Sequence, residues 1–237
     1  MIIHVLDTET TGLDPAKDSV VEIASVELVG AIAEGKTGPT QWQIGDIASS
    51  YVNPHKPIPP EASGIHHILD ADVADAPDLG EAIDHVLTPM WRESVDIVAA
   101  HNARFDRDFL PPLKDKRWID TWRCALHVWP DAPSHANCAL YYWRKFPRLS
   151  AIAHHSALFD ATVTAHLLCQ LLAERGLDEL LKLSTKAAVL RKVNFGKHRG
   201  ALWTEVPIDY LAWAAKQDFD PDVKFTIKTE MARRSAA

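Results

Sequence analysis

Ile2-Ile3-His4-Val5-Leu6-Asp7-Thr8-Glu9-Thr10-Thr11-Gly12 is the stretch on which the reading of this chain turns. Its first five residues are largely apolar, as a buried strand requires, and the polar residues and glycine that follow close it. On a strand the side chains alternate, so Asp7 and Glu9 leave from one face and Thr8 from the other. Two carboxylates held side by side repel, and without a cation one of them tends to hold a proton. A divalent ion removes that conflict. Carboxylate oxygens suit Mg2+ or Mn2+ better than zinc, which favours cysteine and histidine. An Asp-x-Glu pair on a strand edge is common by chance, so further acidic positions are needed.

Outward from this strand, Val20 to Val29 predicts a second one, and Gly30 to Gly45 reads as an excursion before a third at Ile47 to Val52. Pro60-Glu61-Ala62 opens a helix with proline in its first turn. A longer helix is expected over Ala76 to Trp91, where Leu79, Ile83, Val86, Leu87 and Met90 recur at helical spacing. Asp96 to Ala100 reads as a short strand, followed by a helix from Asn102 to Leu110 that Pro111-Pro112 stops. Another strand ends at Ile119-Asp120-Thr121, before a helix through Val128, and Asp160 to Leu172 is a further helix. The stretch 132–152 has no decisive pattern. Early strands in a meander, then strands alternating with helices, predict an α/β fold with a mixed sheet covered by helices.

The second acidic candidate lies in His101-Asn102-Ala103-Arg104-Phe105-Asp106, which sets Asp106 just beyond a strand end, where α/β folds collect ligands. Asp108 is two residues on and turned by about 200°, so the two cannot both reach one ion. Phe105 and Phe109 are spaced as core partners. The third candidate is His155-Ser156-Ala157-Leu158-Phe159-Asp160. Asp160 near a helix N-terminus is favoured in its ionised form. A neutral imidazole in the preceding loop suits proton transfer from water. His154 and His155 are equal candidates on these grounds alone.

These three segments, in order, resemble the motifs of the DEDD exonuclease superfamily, in the DEDDh branch that includes the DNA polymerase III proofreading subunit and ribonuclease T. Asp7-Thr8-Glu9-Thr10-Thr11-Gly12 matches the first motif and His101 to Asp106 the second. A histidine, four residues and an aspartate form the third, which selects His155 over His154. The branch with tyrosine as base has it four residues before the aspartate, where Ser156 stands here. The resemblance spans residues 1 to about 175. It implies a ribonuclease H-like fold and 3′–5′ hydrolysis of nucleic acid to nucleoside 5′-monophosphates. Two Mg2+ ions, replaceable by Mn2+, are implied at Asp7, Glu9, Asp106 and Asp160, with His155 as general base. Gly64-Ile65-His66 resembles a substrate-contacting element, so Ile65 and His66, with Thr10 of the first motif, are candidates to hold the terminal nucleotide. Anchoring a loop is the alternative for Ile65 and His66. Asn102 either supports the site by hydrogen bonding or caps the helix after it.

Net charge is −7, but residues 1–181 carry 14 Lys/Arg against 26 Asp/Glu, and residues 182–237 carry 11 against 6. Residues 182–200 hold six basic residues and no acidic one. Such a cluster attracts an anionic partner even on an acidic protein. We therefore expect an exonuclease domain over 1–180 and a small basic module over 181–237, with Phe195, Trp203, Tyr210 and Trp213 in its core. Phe195-Gly196-Lys197-His198-Arg199-Gly200 and Asp209-Tyr210-Leu211-Ala212-Trp213 resemble the C-terminal region of bacterial exodeoxyribonucleases of this branch. That resemblance implies DNA, single-stranded or with accessible 3′ ends, as substrate and DNA repair as the setting. Lys197 and Arg199 are candidates for phosphate contacts. RNA as the substrate, and an inactive nucleic-acid-binding scaffold, are the alternatives. The apolar start of the chain lacks a basic leader and no apolar run could span a bilayer, so cytoplasmic residence is expected. Cys124, Cys138 and Cys169 lack metal-ligand spacing, and reduced thiols are expected.

Overall fold

The computed structural model describes residues 1–32, 34, 38–87, 95–149 and 156–236. Its strands are β1 (Ile2–Thr10), β2 (Val20–Ala31), β3 (Gln41–Tyr51), β4 (Ile97–Ala100) and β5 (Arg117–Asp120). The helices are α1 (Pro60–His66), α2 (Asp70–Val73), α3 (Leu79–Val86), α4 (Arg104–Phe109), α5 (Thr121–Val128), α6 (Asn137–Trp143), α7 (Ala157–Arg175), α8 (Leu177–Leu183), α9 (Ile208–Ala214) and α10 (Pro221–Ser235). The sheet order is β3-β2-β1-β4-β5. β1, β2 and β3 pair antiparallel, and β4 and β5 add on in parallel. The mixed sheet covered by helices is as the sequence predicts.

The alternation of β1 sorts two cores. Ile3 and Val5 pack with α5, α7 and α8, whereas Leu6 packs with α3, α4 and the start of β2 on the other face. α7 is buried nearly all round, by the sheet and by the helices outside it. Ser156 caps it, accepting from the Phe159 amide at 3.3 Å.

Three expected boundaries move. β3 begins at Gln41, inside the segment 30–45 read as an excursion. Val26 pairs with Ile47 but Leu28 with Ile44, so Gly45 and Asp46 together face Glu27 across a bulge. The glycine that looked like loop punctuation sits in that bulge. The extra residue reverses the strand's faces: Trp42 and Ile44 pack with the α7 core, but Ala48 with the opposite one. α3 begins at Leu79 after Asp78 rather than at Ala76, and the expected end at Trp91 lies outside the described residues. α4 begins at Arg104, because Asn102 takes a left-handed conformation with φ 69°.

The C-terminal residues build their own cluster from Val193, Trp203, Val206, Leu211, Ala214, Val223 and Ile227. Polar contacts fasten it to the rest. Arg123 Nη1 donates to Asp222 Oδ1 at 2.6 Å, and Arg191 Nη1 donates to the Ala132 carbonyl at 2.6 Å. Trp203 is buried, but Trp213, expected in the core, is 49% exposed. The segment is too small to enclose every aromatic ring. No helix among the described residues is long and apolar enough to cross a membrane.

Candidate active site

β1 carries Asp7 and Glu9 out of the sheet on the side covered by α7, and the first turn of α7 brings Asp160 to meet them. One carboxylate oxygen from each of the three lies within 4.8 Å of the others. Asp106 arrives differently. It is 3% exposed, and its Oδ1 accepts from the Thr8 hydroxyl at 2.9 Å. Thr8 points away from Asp7 and Glu9, as alternation requires, and α4 lies on that face. Asp106 thus stands beside the trio, anchored from the opposite side of the strand. Asp108 instead faces Arg104 at 3.9 Å on the surface.

Crowding and burial set the electrostatics. Burial raises the Asp7 carboxyl well above its usual range, and the Asp106, Asp160, Glu9 and Glu22 carboxylates add to it. Glu9 is pushed up to about 8, by burial first and then by Asp160, Glu22 and Asp106. Asp106 rises to about 7 through burial, against the hydrogen bond from Thr8. Carboxyls in this state hold protons at neutral pH unless a cation replaces them. The donors are all oxygen, which fits a hard dication.

Three residues that motif reading passed over hold this arrangement. Glu22 stands opposite Glu9 in the β1–β2 register, and its Oε2 accepts from the Ala157 amide at 3.0 Å. It thereby ties the start of α7 to the sheet. Asn137, at the start of α6, donates from Nδ2 to the Asp160 carbonyl at 3.1 Å and to its Oδ1 at 3.2 Å. Thr164 Oγ1 donates to Asn137 Oδ1 at 3.3 Å. Thr8 is the third. The available signals were a lone acid in the apolar run Val20-Val21-Glu22-Ile23 and the in-motif threonine; nothing marked Asn137.

The other candidates are spread more widely. His155, and its rival His154, lie outside the described residues. Thr10 is buried and its hydroxyl donates to the Gly12 carbonyl at 2.6 Å, closing the turn after β1. Ile65 is exposed, whereas His66 is buried with its Nδ1 accepting from the Ile68 amide at 3.0 Å. Burial keeps His66 below the usual imidazole range, although the Thr10 backbone favours the charged ring. Asn102 does not cap α4: the cap position is Ala103 and no side chain fills it. Its amide instead donates to Asp120 Oδ1 at 3.2 Å. The neighbouring His101 is a brace, its Nε2 donating to the His135 carbonyl at 2.9 Å and its Nδ1 lying 2.9 Å from Thr121 Oγ1. Burial lowers its pKa to about 4. Lys197 and Arg199 are exposed on the C-terminal segment, with Lys197 Nζ 5.3 Å from the Tyr210 ring centroid.

An acidic quartet at a strand end, with two members on the first strand, is the arrangement the three motifs imply. The Exonuclease family model, named for ribonuclease T, matches residues 4–168. The chain belongs to this exonuclease family. It falls in the DEDDh 3′–5′ exonuclease superfamily, and it is similar to Exodeoxyribonuclease 10 of Escherichia coli K12, with 32% identity over 236 residues covering 96% of this chain and 97% of the relative. DNA polymerase III PolC-type of Bacillus subtilis is 32% identical over 193 residues, 74% of this chain but 12% of that protein. Among solved structures, Exonuclease X in complex with 5′ overhanging duplex DNA covers 77% of this chain and 99% of its own, at 34% identity and a TM-score of 0.61. The nuclease domain of the DEDDh protein 3′hExo bound to rAMP shares the fold at 15% identity and a TM-score of 0.56. The exonuclease domain therefore has the ribonuclease H-like sheet of its family, and the chain is an exonuclease-family hydrolase.

Proposed function

We propose that this chain is a 3′–5′ exodeoxyribonuclease that releases nucleoside 5′-monophosphates from DNA and works in DNA repair. The observation that carries the reading is the convergence of Asp7, Glu9 and Asp160 within 4.8 Å, with Asp106 beside them. Asp7, Glu9, Asp106 and Asp160 are the residues that would hold Mg2+, or Mn2+ in its place. A pair of such ions, when bound, supplies a water of lowered pKa and offsets the charge that grows on the leaving 3′ oxygen. His155 is assigned to accept the proton of the attacking water. The water oxygen bonds to phosphorus as the bond to O3′ breaks, leaving a 5′-monophosphate and a new 3′-hydroxyl. Thr10, Ile65 and His66 are assigned to the terminal nucleotide, and Asn102 likewise to substrate binding. Lys197 and Arg199 are assigned to backbone phosphates, from a small basic module that follows the exonuclease domain, with the joint at α8.

The choice of DNA rests on Exodeoxyribonuclease 10, which is matched across nearly the whole of both chains. Digestion of DNA and RNA strands of one sequence, labelled at the 5′ or the 3′ end, tests it. With Mg2+, 5′-labelled DNA is expected to shorten stepwise while RNA persists, and a chelator stops the reaction. Faster digestion of RNA would instead mark an exoribonuclease. Binding of both without cleavage would mark an inactive scaffold.

A further inference from the structure

A cavity of ≈ 550 Å³ opens beside α4, between that helix, β5 and the start of α10. None of the acidic quartet lines it. Arg104, Arg107, Lys116 and Arg123 do, together with Trp118 and Asp120. Four cations around one hollow are unexpected in residues 1–181, where acids outnumber bases 26 to 14. Arg123 is committed to Asp222 and to the Lys186 carbonyl, at 2.6 and 2.9 Å. Arg104 is not held: its only ion-pair partner among the described residues, Asp108, is 3.9 Å away. Lys116 has no ion pair among the described residues. Arg107 Nε is enclosed and meets no hydrogen-bond acceptor there either. Asp120, the lining carboxylate, is already used, accepting from the Arg123 and Asn102 amides at 3.0 and 3.2 Å. The half-buried Trp118 indole is fixed by its Nε1 donating to the Leu113 carbonyl at 3.0 Å.

We infer that this cavity is a phosphate-binding site for nucleic acid. Arg107, Arg104 and Lys116 would hold the phosphate oxygens, and the Trp118 ring would meet the attached sugar or base. An enclosed guanidinium N–H without an acceptor is met by an anionic oxygen, and the planar fork of arginine suits phosphate in particular. A cation group beside an aromatic face is the recurring device for single nucleotides and single strands. The volume accommodates a nucleotide. The phosphate comes either from the backbone of a bound strand or from a free nucleoside 5′-monophosphate.

The test compares full-length wild type with Lys116→Gln and Arg107→Gln, in chelator so that nothing is cleaved. Anisotropy of a labelled DNA oligonucleotide across salt concentrations reads the strand, and calorimetry with dAMP reads the free nucleotide. For a strand phosphate, each variant binds the oligonucleotide more weakly, and its salt slope falls by about 0.7 to 0.9 for each phosphate no longer neutralised. For a free nucleotide, dAMP binds wild type and not the variants, while oligonucleotide affinity holds. Unchanged affinity for both probes in folded variants would overturn the site. Should Arg107→Gln not fold, Lys116→Gln decides alone. Mg2+-supported hydrolysis of the p-nitrophenyl ester of thymidine 5′-monophosphate by the wild type reads the acidic site separately. A wild type that fails that assay contradicts the proposed activity, whereas the binding measurements decide the cavity either way.

Discussion

Asn137 carries more of the site than its chemistry advertises. Its amide donates to both the carbonyl and the carboxylate of Asp160, and its own oxygen accepts from Thr164, so Asp160 is aimed rather than merely placed. Asn137→Ala is expected to lower turnover or Mg2+ affinity by about 10- to 100-fold without unfolding the protein. A Mg2+ titration of the rate checks this, and an unchanged curve would leave the amide with a packing role. The two histidines give a sharper contrast. His155→Ala should lose about 100- to 10,000-fold in turnover, with metal binding intact, while His154→Ala stays near wild type. Steady-state rates on end-labelled DNA decide it, and the reverse order would hand the base to His154. At this scale the carboxylates were legible because their spacing along a strand or helix fixes where they point. Thr8, Glu22 and Asn137 were not, since what each does depends on the strand or helix that lies opposite.

α7 shows why an element can be read while its packing is not. Its apolar residues at 163, 167, 168 and 171 announce a helix, yet Ala157, Ala161 and Ala165 recur along one line and are fully buried too. A helix enclosed on nearly every side has no polar face to betray its orientation. The small side chains let it lie close to its neighbours, and Asp160 sits next to the middle alanine. Ala161→Leu is therefore expected to cost about 1–3 kcal/mol through overpacking and to raise the Mg2+ concentration needed for half-maximal rate. Urea unfolding and a metal titration measure the two effects. Unchanged stability would show spare room at that position. The first half of β3 is hidden for a different reason: the bulge at Gly45 interrupts the strand and looks in sequence like a loop. α6 escaped notice because its residues are held by tertiary partners, Tyr141 stacking on Phe146 at 4.8 Å and meeting His166 at 5.6 Å.

Across the whole molecule, the raised carboxyls couple the acidity of the solution to folding. Asp7, Glu9 and Asp106 all titrate above their ordinary range, Glu9 near 8 and Asp106 near 7. In the unfolded chain the same groups lose their protons near about pH 4. Between those limits the native state binds more protons than the unfolded one, so its stability falls as pH rises. The chelated protein should melt at a lower temperature at about pH 8 than at about pH 5, from this contribution. Added Mg2+ should raise the melting temperature more at the higher pH, where it no longer competes with protons. Thermal shift assays with and without Mg2+ test both statements, and an equal Mg2+ effect at the two pH values would contradict them. The acidic body and basic tail were visible in the charge count, but the polar fastening through Arg123 and Asp222 was not, because it joins residues far apart in the chain. The position of the quartet has one more consequence, for the chain while it is being made. Asp7 and Glu9 leave the ribosome well before Asp160, which follows only after β5, the last strand among the described residues. At about 5–20 residues per second, the roughly 150 residues from Glu9 to Asp160 take about 8–30 seconds to make, and throughout that interval the acidic set lacks at least one member. The acidic set can therefore close only once the first turn of α7 has emerged.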